Sequence, residues 1–138
     1  ANSSYVTNFV AAENLRGILG GHNKLVRVNE AIKEGWLKEI ALKGEKEKAL
    51  FETLSVSLGF GEASSIAIAK TRGYVFACDD RAARREADLL GVKLTGTIGI
   101  IIKAVKKKSL SSQEADVILN RMIANGFYSP VKSIKDIL

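Results

Sequence analysis

The sequence predicts an α/β domain in which a parallel sheet is covered by helices on both sides. Segments of strand character alternate with segments of helical periodicity, which is the order that joins parallel strands through helices. Residues 74–78 form a continuous apolar run, as expected of a strand buried on both faces. The length of 138 residues is that of one domain. We therefore predict one domain that spans residues 1–138.

The sequence pattern of the first half of the chain predicts two strands and three helices. Thr7 or Asn8 is placed to cap the first helix, and Gly35 to end the second. The charged run at residues 43–48 is expected to be a solvated face, and Trp36 to lie in the core. The predicted elements are a strand at 3–7, a helix broken by glycines at 17, 20 and 21, a helix at 25–32, a strand at 36–40, and a helix carrying Leu50, Phe51 and Leu54.

The second half alternates more regularly between helices and strands. Glycines at positions 73, 91, 96 and 126 separate the segments, and Ser111 or Ser112 is placed to cap a helix. Pro130 suits the first turn of a last helix. The predicted elements are a helix at 62–71, a strand at 74–78, a helix at 81–90, a strand at 92–95, helices at 97–107 and 112–125, and a helix from 129 onwards.

Three carboxylates are predicted to lie near one edge of the sheet. The helix from Glu62 extends about 15 Å before the chain reverses at Gly73, and the next strand returns about 20 Å. Glu62 and the pair Asp79–Asp80 should therefore lie near the same edge, where Mg²⁺ or Mn²⁺ would offset their repulsion. The alternative is structural: Glu62 is a first-turn residue that suits the helix dipole, and the Asp pair forms a turn and a helix cap.

Composition restricts the classes of partner. The net charge of +6 favours RNA, DNA or an acidic polypeptide, although excess lysine also serves solubility alone. No apolar run reaches the roughly 18–20 residues of a membrane span, so no membrane association is expected. The single Cys78 cannot form an internal disulfide, no zinc-ligand spacing is present, and no secretory leader is visible. A cytoplasmic protein is the expectation.

Four segments resemble motifs of a PIN-like family of prokaryotic proteins. Residues 58–69 (LGFGEASSIAIA) resemble the family pattern LGxGEAxxIAxA, and residues 79–84 (DDRAAR) resemble DDRxxR. Residues 91–100 (GVKLTGTIGI) resemble GxxxTGTxGxL, and residues 123–127 (IANGF) resemble its ending, xxxGF. The motifs occur in the family's order over much of the chain. The resemblance implies a three-layer α/β/α PIN-like domain with a central parallel sheet.

The resemblance also implies which residues form the acidic site. Glu62 takes the third acidic position, and Asp80 the fourth with Asp79 beside it. Residues 7–15 (TNFVAAENL) resemble TPxVxxEL, which assigns the second position to Glu13. On this alignment the first strand and its Asp would lie upstream of Ala1, so the domain would be N-terminally incomplete. A rival alignment puts Asn2 in place of the first Asp and makes Glu34 the second acidic residue.

The resemblance implies a metal-dependent endoribonuclease and, as its biological role, the toxin of a toxin–antitoxin pair. Glu13, Glu62 and Asp80 would be catalytic and, with Asp79, would bind Mg²⁺ or Mn²⁺. Arg81 and Arg84 would contact the nucleic acid. RNA, an antitoxin protein and a second copy of the chain are the expected partners. The alternative is a catalytically impaired PIN-like domain that binds RNA or a protein, which the absent first Asp favours.

Overall fold

Strands and helices alternate in the computed structural model, which describes residues 3–138. The elements in chain order are β1 (Ser4–Thr7), α1 (Asn8–Leu19), α2 (Val26–Glu34), β2 (Leu37–Ile40), α3 (Gly44–Leu54), α4 (Phe60–Arg72), β3 (Phe76–Ala77), α5 (Arg81–Leu89), β4 (Leu94–Thr95), α6 (Thr97–Lys106) and α7 (Ser112–Ala124). Short 3₁₀ helices occur at Asn23–Leu25 and Ile134–Ile137. The predicted α/β class is confirmed.

The strands pair as two short sheets within the described part of the chain. β1 pairs with β2 in parallel, with Ser4 opposite Leu37 and Thr7 opposite Ile40. Parallel strands need a long crossover connection, and here α1 and α2 form the connection between β1 and β2. The second sheet consists of β3 and β4.

The chain divides into two compact units. Unit 1 extends through Phe76 and includes Asp80–Leu94, whereas unit 2 consists of Ala77–Asp79 and Thr95–Leu138. The single domain expected from the sequence stays a prediction.

Helix α4 forms the centre of unit 1. The apolar side that the sequence predicts for it is buried and consists of Ala63, Ile66, Ala67 and Ala69. Ser64 and Ile68 are buried as well, so little of the middle of α4 reaches solvent. Small side chains allow neighbouring helices to approach α4 closely. The Thr7 and Ser64 hydroxyls form a buried hydrogen bond of 2.8 Å, and Thr7 Oγ1 also accepts the Val10 N–H at the start of α1. Of the two predicted candidates, Thr7 and not Asn8 caps α1, and its bond to Ser64 fixes the start of α1 against α4.

Unit 2 has its own apolar core between α6, α7 and the C-terminal 3₁₀ helix. Ile101, Ala115, Leu119 and Ile134 are buried together there. Helix α7 begins with a capping box, in which Ser111 Oγ accepts the Glu114 N–H and the Glu114 carboxylate accepts the Ser111 N–H. Ser111 is thus the cap, which the sequence had left open between Ser111 and Ser112.

The apolar run at residues 74–78 was wrongly predicted to be one buried strand. Only Phe76–Ala77 is a strand, while Tyr74 and Val75 are 37% and 55% exposed. Gly73 adopts a left-handed conformation with φ 70°, and the Tyr74 N–H donates to Ala69 O, so this residue still closes α4. The Tyr74 ring stacks on Tyr5, with centroids 5.2 Å apart. Tyr74, at the start of the apolar run, therefore closes α4 and contacts Tyr5 at the surface, and it is not part of the strand.

Three further expectations are corrected. Residues 129–133 are not helical, and the last helix is the 3₁₀ turn at Ile134–Ile137, because the Asp116 carboxylate accepts the Ile134 N–H and the Ser133 hydroxyl. Gly17 lies inside α1, where a Cβ would come within 2.5 Å of Leu25 Cδ1, so it permits packing and does not end the helix. Trp36 is 62% exposed and does not belong to the core.

The charged run at residues 43–48 is not entirely a solvated face, because Glu47 is buried. Its carboxylate accepts hydrogen bonds from Arg72 Nε at 2.8 Å and Arg72 Nη2 at 2.9 Å. The Thr71 hydroxyl and the Lys43 N–H donate to it as well, each at 2.7 Å. Hydrogen bonds from Arg72 are the largest cause of the lowered pKa of Glu47, which falls to about 2. Arg72 also donates to Ala41 O, so the ion pair joins α3 and α4 to the segment after β2.

No helix within residues 3–138 combines the length and the apolar character that a membrane crossing requires.

Candidate functional site

The first turn of α4 carries Glu62 at the N-terminal end of a buried helix. Gly59 is the extended N-cap residue, with φ −64° and ψ 160°, and it has no side chain to cap the helix. A Cβ on Gly59 would lie 4.0 Å from Glu62 Oε1, so the Glu62 carboxylate lies back over the start of its own helix. The unpaired N–H groups and the dipole of the helix favour a negative charge at that position. Glu62 is partly buried there.

Glu13 reaches the same turn from α1. A Cβ on Gly61 would lie 2.9 Å from Glu13 Oε1 and 3.2 Å from Val10 Cγ2, closer than side chains normally allow. Gly61 is buried, and its missing side chain makes room for the Glu13 carboxylate. Glu13 and Glu62 therefore lie beside one turn of α4, although 49 residues separate them in sequence.

Asp80 caps α5 in unit 1. Its Oδ2 accepts the Ala83 N–H at 2.9 Å, which is the structural role that the sequence had left as an alternative. The basic residues that follow lie on this helix: Arg81 is exposed at its first position, and Arg84 is partly buried three residues later. A spacing of three places Arg81 and Arg84 on one helix face.

Asp79 belongs to unit 2, where it holds the start of α6. Its Oδ1 accepts the Thr97 N–H at 2.9 Å, and its Oδ2 accepts the Thr97 hydroxyl. Gly96, the N-cap residue of α6, has no side chain for this purpose, so Asp79 replaces it. Both Asp79 oxygens therefore have a role in helix capping.

The rival alignment is not tested by these positions. Glu34 is the exposed last residue of α2, and Asn2 lies outside the described residues. The choice of Glu13 or Glu34 as the second acidic residue stays a prediction.

The donor chemistry at α4 suits a hard divalent cation, because Glu13 and Glu62 offer only carboxylate oxygens. Within residues 3–138, however, no three Asp, Glu, His or Cys side chains are close enough to hold a metal ion together. The structure places Glu13 and Glu62 at one turn and does not assemble the predicted four-residue cluster.

An aromatic cluster borders the same turn and was not recognised in the sequence. Phe9, Phe51 and Phe60 contact one another with ring centroids 5.1 to 5.5 Å apart. Phe60 is the first residue of α4 and is 56% exposed, whereas Phe9 and Phe51 are half-buried. The three residues come from three helices, so only the fold reveals the cluster.

A family model described as a PIN domain matches residues 1–138. No curated protein and no solved structure matches the chain significantly.

Proposed function

The chain belongs to the PIN-domain family, and from this premise we propose that it is a metal-dependent endoribonuclease. The family fold is of nuclease type, and PIN domains generally use divalent metal ions. The observation that most strongly supports the proposal is the approach of Glu13 to Gly61, beside Glu62. The net charge of +6 also favours a polyanionic substrate.

Glu13, Glu62 and Asp80 are the proposed catalytic acids, and together with Asp79 they would hold Mg²⁺ or Mn²⁺. When bound, such an ion supplies a water activated at neutral pH and offsets negative charge on the scissile phosphate. The chain itself contributes the negatively charged carboxylates and holds those of Glu13 and Glu62 at the start of α4. Gly61 leaves room for the Glu13 carboxylate, and Glu62 lies at the N-terminal end of α4, where the helix dipole suits an acidic side chain.

Other residues have supporting roles in this proposal. The Ala83 N–H fixes the orientation of Asp80, and Thr97 does the same for Asp79. Arg81 and Arg84 would contact RNA phosphates, which positions the backbone without reading sequence.

The finer part of the proposal is biological. We infer that the enzyme acts in the cytoplasm as the toxin of a toxin–antitoxin pair, that an antitoxin protein inhibits it, and that it forms a homodimer. The motif resemblance supports this part. A co-purification with the product of the neighbouring reading frame, combined with a mass measurement of the complex, would test it.

The test of the enzymatic proposal is cleavage of single-stranded RNA by the full chain in Mn²⁺, in EDTA and after Glu62→Gln. We expect cleavage in Mn²⁺ only, with a loss of about 100-fold or more in the variant, since even residues behind a metal ligand are worth about 10- to 100-fold. Glu52→Gln is the matched control, because Glu52 is an exposed acid on α3 of the same unit. Cleavage that is unchanged by Glu62→Gln would contradict the site assignment.

A second candidate is a catalytically impaired domain that binds RNA or a protein. Two observations favour it: Asp79 and Asp80 serve as helix caps, and no three potential ligands are grouped within residues 3–138. RNA binding without Mn²⁺-dependent cleavage would support this candidate over the first.

A further inference from the structure

The Phe60 ring lies at the surface and contacts two other rings. Its centroid lies 5.5 Å from Phe9 and 5.4 Å from Phe51, with interplanar angles of 68° and 57°. Phe9 and Phe51 are nearly parallel, at 18°, with centroids 5.1 Å apart. Such edge-on and offset contacts are the favoured geometries of aromatic pairs, so they fix the orientation of Phe60. The cluster nevertheless leaves Phe60 56% exposed.

Phe60 lies near both Glu62, in its own helix α4, and Glu13, in the neighbouring helix α1. In α4, Phe60 and Glu62 flank Gly61, which contacts Glu13. In α1, Phe9 and Glu13 are four residues apart and therefore lie on the same helix face, with Cβ atoms about 5–6 Å apart. The ring that contacts Phe9 thus lies within about one helical turn of the Glu13 carboxylate.

A single exposed apolar residue is ordinary on a protein surface, but this one is oriented and borders two acids. A flat nucleobase matches an exposed phenyl ring, because every base has a face that stacks on an aromatic side chain. The phosphate of a base stacked on Phe60 would lie within about one helical turn of the ring. The Glu13 and Glu62 carboxylates lie at about the same distance from the ring. Bases inside a duplex are already stacked on each other, so only an unpaired base has a free face.

We propose that Phe60 is a stacking platform for an unpaired base of single-stranded RNA and positions the neighbouring phosphate at Glu13 and Glu62. This inference rests on the proposed function in that RNA is the substrate. It adds a positioning residue, Phe60, that contacts a base of this RNA. Phe9 and Phe51 act through Phe60 by holding its ring.

Binding of RNA without cleavage tests the proposal. A fluorescein-labelled single-stranded RNA is titrated with the full chain in EDTA, and a duplex of the same sequence is titrated in parallel. Phe60→Ala should weaken single-strand binding by about 5- to 100-fold, the range measured for one base–aromatic stack. Phe60→Tyr should keep the affinity within about two-fold, because its ring also stacks. Thermal unfolding of each variant checks that it is folded.

Val56→Ala is the matched control, since Val56 is 88% exposed in the turn after α3 and belongs to the same unit. It should leave RNA affinity unchanged. An oligonucleotide series with one abasic position supplies the second control. One abasic position should weaken binding to the wild type. The same position should weaken binding to Phe60→Ala much less, because the abasic site and the substitution remove the same stack.

Three results would overturn the inference: single-strand affinity unchanged in folded Phe60→Ala, equal losses for single strand and duplex, or a change of oligomeric state with RNA binding intact. The last result would identify a self-association surface. The proposed function can fail separately, because binding is measured in EDTA. Loss of binding in Phe60→Ala without Mn²⁺-dependent cleavage by the wild type would support the platform and contradict the enzyme.

Discussion

Glu47 and Arg72 form the best-defined ionic contact in unit 1. Four hydrogen bonds reach the Glu47 carboxylate, and its side chain is 6% exposed. The folded-state pKa of Glu47 is about 2, below its ordinary value of 4.5. A lowered folded pKa means that the ionised carboxylate stabilises the fold above about pH 4.5 and that this contribution is lost as the pH falls towards about 2.

We therefore predict that acid destabilises the wild type more than the Glu47→Gln variant. The pKa difference corresponds to at most about 3.5 kcal/mol of unfolding free energy, lost between about pH 5 and pH 2. Denaturant unfolding at a series of pH values measures it, with Glu52→Gln as the exposed control. At neutral pH, Glu47→Gln should be less stable by about 2 kcal/mol, because it removes charge-assisted hydrogen bonds. Parallel pH profiles for wild type and Glu47→Gln would contradict this prediction.

The sequence predicted the positions of the acidic residues better than it predicted their individual contacts. Glu62 was identified by its position at a helix start, and it lies in the first turn of α4, where Glu13 approaches the preceding residue, Gly61. Asp79 and Asp80 were identified as a pair after a strand, but adjacent side chains do not share their surroundings. Asp80 caps α5 and Asp79 holds Thr97. The sequence could not separate these roles, because they depend on which backbone N–H group each carboxylate reaches.

At the scale of elements, the close approach of α1 to α4 depends on Gly61. A Cβ there would press on Glu13 Oε1, which is the mobile end of a long side chain and can move away. Alanine also favours a helix over glycine by about 1 kcal/mol, which offsets part of the steric cost.

We predict that Gly61→Ala changes function more than stability. Its unfolding free energy should stay within about 1 kcal/mol of the wild type, whereas displacement of Glu13 should weaken Mn²⁺ binding by about ten-fold. Calorimetric titration with Mn²⁺ measures the affinity. In a Glu13→Ala background, Gly61→Ala should have no further effect, because the displaced carboxylate is gone. An equal loss in both backgrounds would show that Gly61 acts through something other than Glu13.

At the scale of the whole molecule, the charge balance governs binding to RNA. The chain carries 21 Lys and Arg residues against 15 Asp and Glu, a net charge of +6. Phosphate contacts by basic side chains release counterions, so the affinity falls with salt along a slope of about −0.7 per contact for single strands.

We predict that the affinity for single-stranded RNA in EDTA falls by about ten-fold between roughly 50 and 200 mM KCl, as expected for two to three phosphate contacts. Arg81→Gln should make the slope shallower by about 0.7, whereas Phe60→Ala should lower the affinity at every salt concentration without changing the slope. Fluorescence anisotropy over the salt series measures both quantities. An affinity independent of salt would contradict a role for the basic residues.

Local rules predicted most of the elements. Thr7 and Ser111 cap helices because a hydroxyl one residue before a helix accepts an N–H of its first turn, and Gly35 and Gly73 end helices in the left-handed conformation. Hydrophobic periodicity identified α4, and the motif resemblance identified the PIN family, which the family match confirms. These features depend on neighbours within a few residues, so the sequence alone determined them.

Tertiary structure decided what depends on distant partners. Glu47 is buried because Arg72, 25 positions later, neutralises it, and Gly17 continues its helix because Leu25 fills the space beside it. Tyr74 leaves the expected strand to close α4 and stack on Tyr5. The approach of Glu13 to Gly61, the residue before Glu62, and the cluster around Phe60 likewise join separate helices. Most of these contacts join residues far apart in the chain, and local periodicity carries no information about such contacts.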